Sequence, residues 1–191
     1  MRRANDFYPT PAALTAVLLD LVSEIDGTAV EPCAGDGAMA DALRRSGRLT
    51  GIRTNDILTG YGCTMTSDAR APDAAVWQAD ADWVITNPPF TWAGDILANA
   101  WACAGRGVAM LLRLTFLEPT VARAELLQQL APCLSDVIIF GQPRPSFTDD
   151  RRTDSVTTAW LVWQKGWKQG ARVHFAVGWA GTGAGALRTG R

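Results

Sequence analysis

The stretch Val84–Asp95 (VITNPPFTWAGD) combines an apolar run with side chains that could bind a planar ligand. Pro88 and Pro89 have no backbone N–H with which to continue a strand or a helix interior, so Asn87 and Phe90 are predicted to lie on a stiff loop at a strand end. Asn87 offers an amide oxygen, the Pro88 carbonyl is a second acceptor, and Phe90 supplies a flat face. The stretch therefore predicts a socket for a planar group that carries an NH2.

A second stretch, VEPCAGDGAMA, has the spacing of a phosphate- or nucleotide-binding turn. A strand is predicted to end there, two glycines allow a tight turn, and a helix begins with its N–H groups pointing outward. Gly35, Gly37 and Ala40 satisfy the dinucleotide fingerprint G-x-G-x-x-G/A, and Asp56 supplies the acid that follows about 20 residues later. An NAD site is one interpretation of this turn.

Glu31 and Pro32, at the start of the same turn, favour a different ligand. A carboxylate at the strand end would repel a pyrophosphate and would suit a cationic or amine-bearing ligand. An adenosine with a positive sulfonium and an amino acid tail fits this requirement better than NAD does. Asp56 would bind the ribose hydroxyls in either case.

The elements that must position these loops alternate between strands and helices. Thr10–Asp26 is predicted to be a helix, with Thr10 as its N-cap and Pro11 at its first position. The alternation predicts an α/β fold with a single doubly wound, mostly parallel sheet. The last strand, TTAWLVWQKG, follows a loop too short for a crossover helix and should pair antiparallel. Ligands of such sheets bind at the carboxyl ends of the strands.

Length and composition indicate one domain. The chain has 191 residues, of which 48% are hydrophobic, and we expect residues 1–180 to form the domain and residues 181–191 a flexible tail. No apolar run is long enough to cross a membrane, and the N-terminus has no apolar signal-peptide stretch, so we expect a cytoplasmic protein. Four scattered cysteines and one histidine predict no metal site.

Charge is distributed unevenly along the chain. The net charge is −1, but no acidic residue follows Asp154, so the segment from Ser155 onward carries +5 and the rest −6. This pattern indicates either a face for a polyanion or a solvated basic tail.

Three stretches in order, FYPTP, EPCAGDG and NPPF, resemble motifs X, I and IV of S-adenosylmethionine-dependent DNA N6-adenine methyltransferases. This order is similar to that of the gamma class, and later stretches such as RLTFLEP resemble small enzymes of phages and prophages. The resemblance covers about residues 5 to 165. Motif IV also occurs in enzymes that act on RNA bases or on glutamine side chains, while FYPTP favours DNA.

The resemblance implies S-adenosylmethionine as cofactor and a set of residues around it. Thr10 is expected near the carboxylate of the methionine part, Asp56 on the ribose, and Asp68 on the amine of the cofactor's adenine. The implied cofactor-binding residues are Tyr8, Thr10, Pro11, Glu31, Pro32, Gly35, Gly37, Asp56 and Asp68.

The resemblance also implies that the target adenine binds at Asn87, Pro88, Pro89 and Phe90. Two acceptors around the NH2 would localise its lone pair on the side of the methyl group, and stiff prolines would hold them in place. Methyl transfer would then be direct and in-line, without a covalent intermediate. Cys33, which follows a proline as the nucleophile of cytosine-C5 methyltransferases does, lies in the cofactor turn and is not expected to attack the substrate.

Substrate contacts outside this loop are predicted at four positions. Trp92 could flank a flipped base, and the arginines of the loop Gln142–Ser155 could bind phosphates, although this loop could also be self-paired. These arginines are Arg144, Arg151 and Arg152.

Gamma-class enzymes usually carry a separate target-recognition domain after motif IV, but we expect the catalytic sheet to use nearly all of the residues that follow Phe90 here. Recognition would come from loops, from the basic C-terminal segment, or from a second subunit or homo-oligomer. The alternatives are a related methyltransferase acting on RNA or protein glutamine, and a catalytically silent nucleic-acid-binding protein with the same fold.

Overall fold

A computed structural model describes residues 9–142, 144–145 and 156–181 of the chain. These residues form four helices: α1 (Ala12–Leu21), α2 (Ala38–Arg45), α3 (Ala93–Cys103) and α4 (Ala124–Leu130). They also form eight strands: β1 (Gly27–Glu31), β2 (Leu49–Asp56), β3 (Met65–Thr66), β4 (Trp83–Thr86), β5 (Gly107–Arg113), β6 (Leu134–Phe140), β7 (Thr158–Gln164) and β8 (Arg172–Ala176).

The strands form one sheet in the spatial order β3-β2-β1-β4-β5-β7-β6-β8. The pairs β2–β3, β1–β2, β1–β4, β4–β5 and β6–β8 are parallel, while β7 is antiparallel to both of its neighbours, β5 and β6. The predicted α/β fold with a mostly parallel sheet and an antiparallel strand is therefore confirmed.

The antiparallel strand is, however, not the last one, because β8 follows it and forms the edge of the sheet beside β6. The sequence analysis left this strand unassigned. Val173 and Phe175 are 55% and 72% exposed, so β8 lacks the buried apolar run that identified the other late strands. Only its last residue, Ala176, is fully buried.

Helix α1 differs from its prediction at both ends. Pro11 precedes its first turn, and no side chain caps it, so Thr10 is not the N-cap that the sequence suggested. The helix ends at Leu21, although Val22 and Ile25 beyond it are fully buried. The apolar spacing therefore continued into a non-helical segment, which made the predicted helix too long.

The two faces of the sheet carry separate hydrophobic cores. One core contains Leu14 and Leu18 of α1 with Met39 and Leu43 of α2, and the other contains Leu97 of α3 with its neighbours. Every residue of β7 is buried, as expected for an interior strand. Within the described ranges, no helix has both the length and the apolar character needed to cross a bilayer.

Candidate functional site

A cavity of about 430 Å³ opens at the carboxyl ends of β1, β2 and β4. This is the position at which ligands bind in sheets of this type. The structure brings nine of the predicted site residues together in its wall: Thr10, Glu31, Pro32, Gly35, Asp56, Asp68, Asn87, Pro89 and Trp92.

Other predicted residues lie outside the cavity wall. Pro11 precedes α1, Gly37 precedes α2, and Pro88 is buried behind the loop. Phe90 is partly buried and packs against the core that contains α3. Arg144 follows β6 and is not part of the cavity wall, while Tyr8, Arg151, Arg152 and the predicted tail from residue 182 onward lie outside the described residues.

The glycine turn between β1 and α2 has the geometry that its sequence predicts. Gly35 and Gly37 have φ values of 52° and 82°, a left-handed conformation that favours glycine. The Gly37 N–H donates a 2.9 Å hydrogen bond to the carbonyl of Ala34 and closes the turn. The chain thereby reverses tightly beside the cavity.

Asp56 braces this turn from the end of β2. Its Oδ2 accepts a 2.9 Å hydrogen bond from the Gly35 N–H, and its Oδ1 accepts one of 2.9 Å from the Leu58 N–H. A carboxylate has about four lone-pair sites, so Asp56 keeps acceptor capacity for ligand hydroxyls.

Asn55, which the sequence analysis did not single out, joins the same turn to the segment after β3. It is fully buried, and its Nδ2 donates to the carbonyls of Pro32 and Ser67 at 2.9 and 3.0 Å. Its Oδ1 accepts a 2.8 Å hydrogen bond from the Ser67 hydroxyl. A fully buried amide among polar neighbours rigidifies the wall, but a lone Asn beside Asp56 gave no sequence signal for this role.

Glu31 is a buried carboxylate in the cavity wall. It is 2% exposed, and its Oε2 has no hydrogen-bond partner. Burial raises the pKa of Glu31 well above its ordinary value, although a backbone hydrogen bond from Ala40 opposes this shift. Such a group is costly unless a ligand supplies a donor or a positive charge.

Asn87 is held by a residue from the other end of the chain. Its Nδ2 donates a 3.1 Å hydrogen bond to Thr10 Oγ1, and both residues line the cavity. Because the nitrogen faces Thr10, the amide oxygen of Asn87 is left to accept from a ligand. The Pro89 carbonyl accepts from the Trp92 N–H at 3.0 Å, which fixes the loop that follows.

Two arginines contact the aromatic residues of this loop. The Arg70 guanidinium lies 4.8 Å from the centre of the Trp92 ring, and that of Arg113 lies 5.0 Å from the centre of the Phe90 ring. Arg70 also pairs with Asp68, with an Nε–Oδ1 distance of 2.8 Å, and this pairing lowers the pKa of Asp68. Asp68 therefore already has a partner at the position where the sequence predicted a contact with adenine.

Cys33 lines the cavity but is not activated. Burial, with Asp56 nearby, raises the pKa of its thiol to about 12. The thiol is consequently protonated at neutral pH, which disfavours a nucleophilic role.

Among the residues that the structure describes, no group of three or more His, Cys, Asp or Glu side chains could hold a metal ion. His174 lies with its Nε2 2.9 Å from Oδ1 of the buried Asp136, near the beginning of β6. Strands β6 and β8, which carry these two residues, lie at the other end of the strand order from β1 and β2, which line the cavity.

The apolar part of the cavity wall was not predicted. It includes Met39, Ile57, Leu58 and Ile96. Ile57 and Leu58 directly follow Asp56 and are 52% and 37% exposed. Two apolar residues in a turn after Asp56 were the sequence signal that could have predicted this part of the wall. Such residues can cover the face of a flat ligand while Asp56 contacts its polar edge.

No protein-family model matches the sequence, and no curated protein matches it. Solved structures do resemble it. The methyltransferase subunit of a type I restriction-modification system from Streptococcus thermophilus is 15% identical, with 94% of this chain and 49% of that chain covered and a TM-score of 0.63. This chain thus spans about half the length of that subunit.

Two further structures have similar scores. A protein from Listeria monocytogenes, assigned as a class I S-adenosylmethionine-dependent methyltransferase, is 13% identical over 88% of this chain and 65% of that chain, with a TM-score of 0.61. A protein from Pyrococcus horikoshii, assigned as an RNA methyltransferase, is 14% identical over 84% and 88%, with a TM-score of 0.61. The chain therefore shares its fold with these three methyltransferase structures.

Proposed function

We propose that this protein transfers the methyl group of S-adenosylmethionine to the N6 amino group of adenine in DNA. The observation that carries the proposal is the position of Asn87. Its side chain lines the same cavity as the glycine turn and the buried carboxylate of Glu31, whose Oε2 has no hydrogen-bond partner. An amide acceptor for an NH2 group thus lies beside a site suited to a positively charged nucleotide.

The cavity offers partners for the methionine part, the ribose and the adenine of this cofactor. Glu31 can accept from the ammonium group of the methionine part, which would compensate the cost of its burial. Asp56 can accept from the ribose hydroxyls, and Ile57 and Leu58 can cover the adenine. Asp68 can accept from the adenine amine if it gives up part of its contact with Arg70. When bound, the cofactor supplies an electrophilic methyl group on a sulfonium.

The target amine would be held by Asn87 and by the carbonyl of Pro88. The exocyclic nitrogen of adenine is a poor nucleophile because its lone pair is delocalised into the ring. Two acceptors placed around its hydrogens draw the nitrogen toward a tetrahedral geometry and localise the lone pair. Thr10 keeps the Asn87 oxygen pointing at the amine, and Phe90 offers its ring to the base. The proton released by transfer can leave to water.

DNA is proposed over other substrates on the basis of the motifs and the neighbours. The order of the stretches FYPTP, EPCAGDG and NPPF is gamma-like and similar to that of small phage or prophage enzymes. The S. thermophilus neighbour is a subunit of a restriction-modification system, which supports DNA as substrate and a second subunit as the source of sequence recognition. We propose that the reaction takes place in the cytoplasm.

RNA is the second candidate substrate. The P. horikoshii neighbour is assigned as an RNA methyltransferase, and its length matches that of this chain more closely. An unpaired base needs no duplex opening, which costs a few kcal/mol, and this favours single strands as substrate. Transfer to protein glutamine would use the same two acceptors.

Modification-sensitive sequencing of DNA from cells that express the protein, with Asn87→Ala as control, tests the proposal. We expect N6-methyladenine at a defined sequence context with the wild type and none with the variant. Parallel assays with labelled cofactor on RNA and on peptides separate the other substrates. Methylation of RNA or glutamine without methylation of DNA would overturn the assignment to DNA, and absence of cofactor binding in calorimetry would overturn the enzyme assignment altogether.

A further inference from the structure

Arg113 lies next to the proposed socket for the target base. Neither the proposed cofactor contacts nor the proposed contacts with the target amine use this residue. It is the last residue of β5, at the same edge of the sheet as the cavity, and its side chain is exposed. Its guanidinium carbon lies 5.0 Å from the centre of the Phe90 ring. It therefore covers the aromatic ring on which, in the proposed function, the target base stacks.

The contact between Arg113 and Phe90 is easily exchanged. Within the described ranges no carboxylate pairs with Arg113, whereas Arg70 pairs with Asp68 nearby. Arg123, on the same side, donates at 3.1 Å to the backbone carbonyl of Glu118. An exposed cation–π contact is weak because water competes for the cation. A base that stacks on Phe90 could displace the guanidinium at little cost.

The backbone of Arg113 is fixed, so the exchange needs only a side-chain movement. Arg113 pairs with Thr158 across the antiparallel β5–β7 ladder, and the next residue, Leu114, donates a 2.9 Å hydrogen bond to the carbonyl of Thr157. The Cα position is thereby anchored from the neighbouring strand while the guanidinium remains free to turn.

Charge is also divided at this edge of the sheet. Glu31 and Asp56 end β1 and β2, and Asp68 follows β3, while Arg113 ends β5. Arg123 precedes α4, where the acids Glu118 and Glu125 are close to it in sequence. Asn87 follows β4 and lies between the two sides. An anionic group that approaches Asn87 is therefore disfavoured on the first side and meets Arg113 on the second, an arginine that pairs with no carboxylate of the described residues.

We propose that Arg113 is a substrate-binding residue that contacts the phosphate of the target nucleotide. The inference rests on the proposed function, because it requires a nucleic acid whose base stacks on Phe90. A nucleotide that enters the socket brings its own phosphate, so the group that displaces the guanidinium also supplies its new partner. The planar guanidinium can bind a phosphate through two parallel hydrogen bonds.

The test is the salt dependence of binding to a short adenine-containing oligonucleotide, measured by fluorescence anisotropy for wild type, Arg113→Ala and Arg113→Lys. Each phosphate contact contributes about 0.9 to the slope of log K against log salt for duplex DNA and about 0.7 for single strands. We expect Arg113→Ala to lower the slope by that amount and Arg113→Lys to retain it. Arg45→Ala, at the exposed C-terminal end of α2 away from the cavity, is the matched control and should keep the wild-type slope.

Methyl-transfer kinetics provide the second measurement. We expect Arg113→Ala to raise KM for the oligonucleotide about tenfold with a smaller change in kcat, since the variant loses a charge-assisted hydrogen bond that is partly exposed to solvent. Cofactor affinity in calorimetry should be unchanged, which also shows that the variant is folded.

The outcomes separate the two proposals. A slope for Arg113→Ala equal to that of Arg45→Ala, with normal wild-type binding and methylation, would overturn the role of Arg113 and leave the proposed function standing. A wild-type protein that binds cofactor but neither binds nor methylates the oligonucleotide would overturn both.

Discussion

The side-chain amide of Asn87 donates a 3.1 Å hydrogen bond to the hydroxyl oxygen of Thr10, which joins positions 77 residues apart in the chain. Thr10 is 6% exposed and precedes α1, whereas Asn87 follows β4. The segment before the first helix therefore sets the orientation of the amide that the proposed function places on the target amine.

Thr10→Val removes the acceptor while preserving the shape of the side chain. We expect kcat for methyl transfer to fall about 5- to 100-fold, because a neutral hydrogen bond contributes about 1 kcal/mol and a misplaced acceptor adds to the loss. Thr10→Ser, which keeps the hydroxyl, should retain most of the activity. A loss of cofactor affinity in Thr10→Val with kcat unchanged would instead place Thr10 on the cofactor.

Glu31→Gln tests the buried carboxylate. At neutral pH we expect the variant without cofactor to be more stable than the wild type, because burial disfavours the charged form. Its affinity for S-adenosylmethionine should fall about 10- to 150-fold, the equivalent of about 1.5–3 kcal/mol for a charge-assisted hydrogen bond. Calorimetry and thermal unfolding measure the two effects.

The pH dependence of the wild type follows from the same carboxylate. Because its pKa is raised in the folded protein, the folded state binds more protons than the unfolded state above pH 4.5, the ordinary pKa of glutamate. The contribution of Glu31 to the free energy of unfolding therefore falls as the pH rises from 4.5 to its folded pKa. A cationic ligand favours the ionised form, so cofactor affinity should rise over this window. A pH-independent affinity in wild type, matching that of Glu31→Gln, would contradict this role.

Asp68→Ala and Arg70→Ala separate two roles for the pair at the cavity rim. The pair is partly exposed, with side-chain exposures of 35% for Asp68 and 41% for Arg70, so breaking it should change the stability of the fold little. If Asp68 accepts from adenine, Asp68→Ala should weaken cofactor binding about tenfold and Arg70→Ala less than about threefold. Equal losses in the two variants would show that the ion pair itself, rather than Asp68, supports the cofactor.

Asn55→Ala should be strongly destabilising although Asn55 does not line the cavity. It would remove three hydrogen bonds and leave the carbonyls of Pro32 and Ser67 without their buried donor. We expect the free energy of unfolding to fall by about 2–4 kcal/mol in chemical denaturation. Thr50→Ala, at an exposed position of the same strand, is the matched control. A loss no larger than that of the control would show that water replaces the amide.

The parts of this protein that depend on local sequence were predictable. The glycine turn and the Asn87-Pro88-Pro89 loop were located because glycine and proline restrict the backbone directly. Strands β5 and β7 were found because a strand that is buried on both faces of the sheet has a continuous apolar run in its sequence.

Contacts through space were not predictable. Thr10 has the sequence of an N-cap, but the fold places its hydroxyl beside Asn87, 77 residues away in the chain, instead. Asp68 was assigned to a ligand because nothing in TSDAR shows that Arg70 folds back onto it. Strand β8 was not predicted because its first four residues alternate between partly buried and exposed at the edge of the sheet.

The position of β4 between β1 and β5 determines which parts of this fold can vary without moving the others. Its registry with β1, through Ala29 opposite Trp83 and Val30 opposite Val84, ties the Asn87 loop to the glycine turn through the buried middle of the molecule. In the proposed function, the substrate contacts at Phe90 and Arg113 lie after β4 and at the end of β5. In the proposed function, substitutions at these positions can alter which molecule is methylated, while the spacing between the Asn87 loop and the glycine turn stays the same.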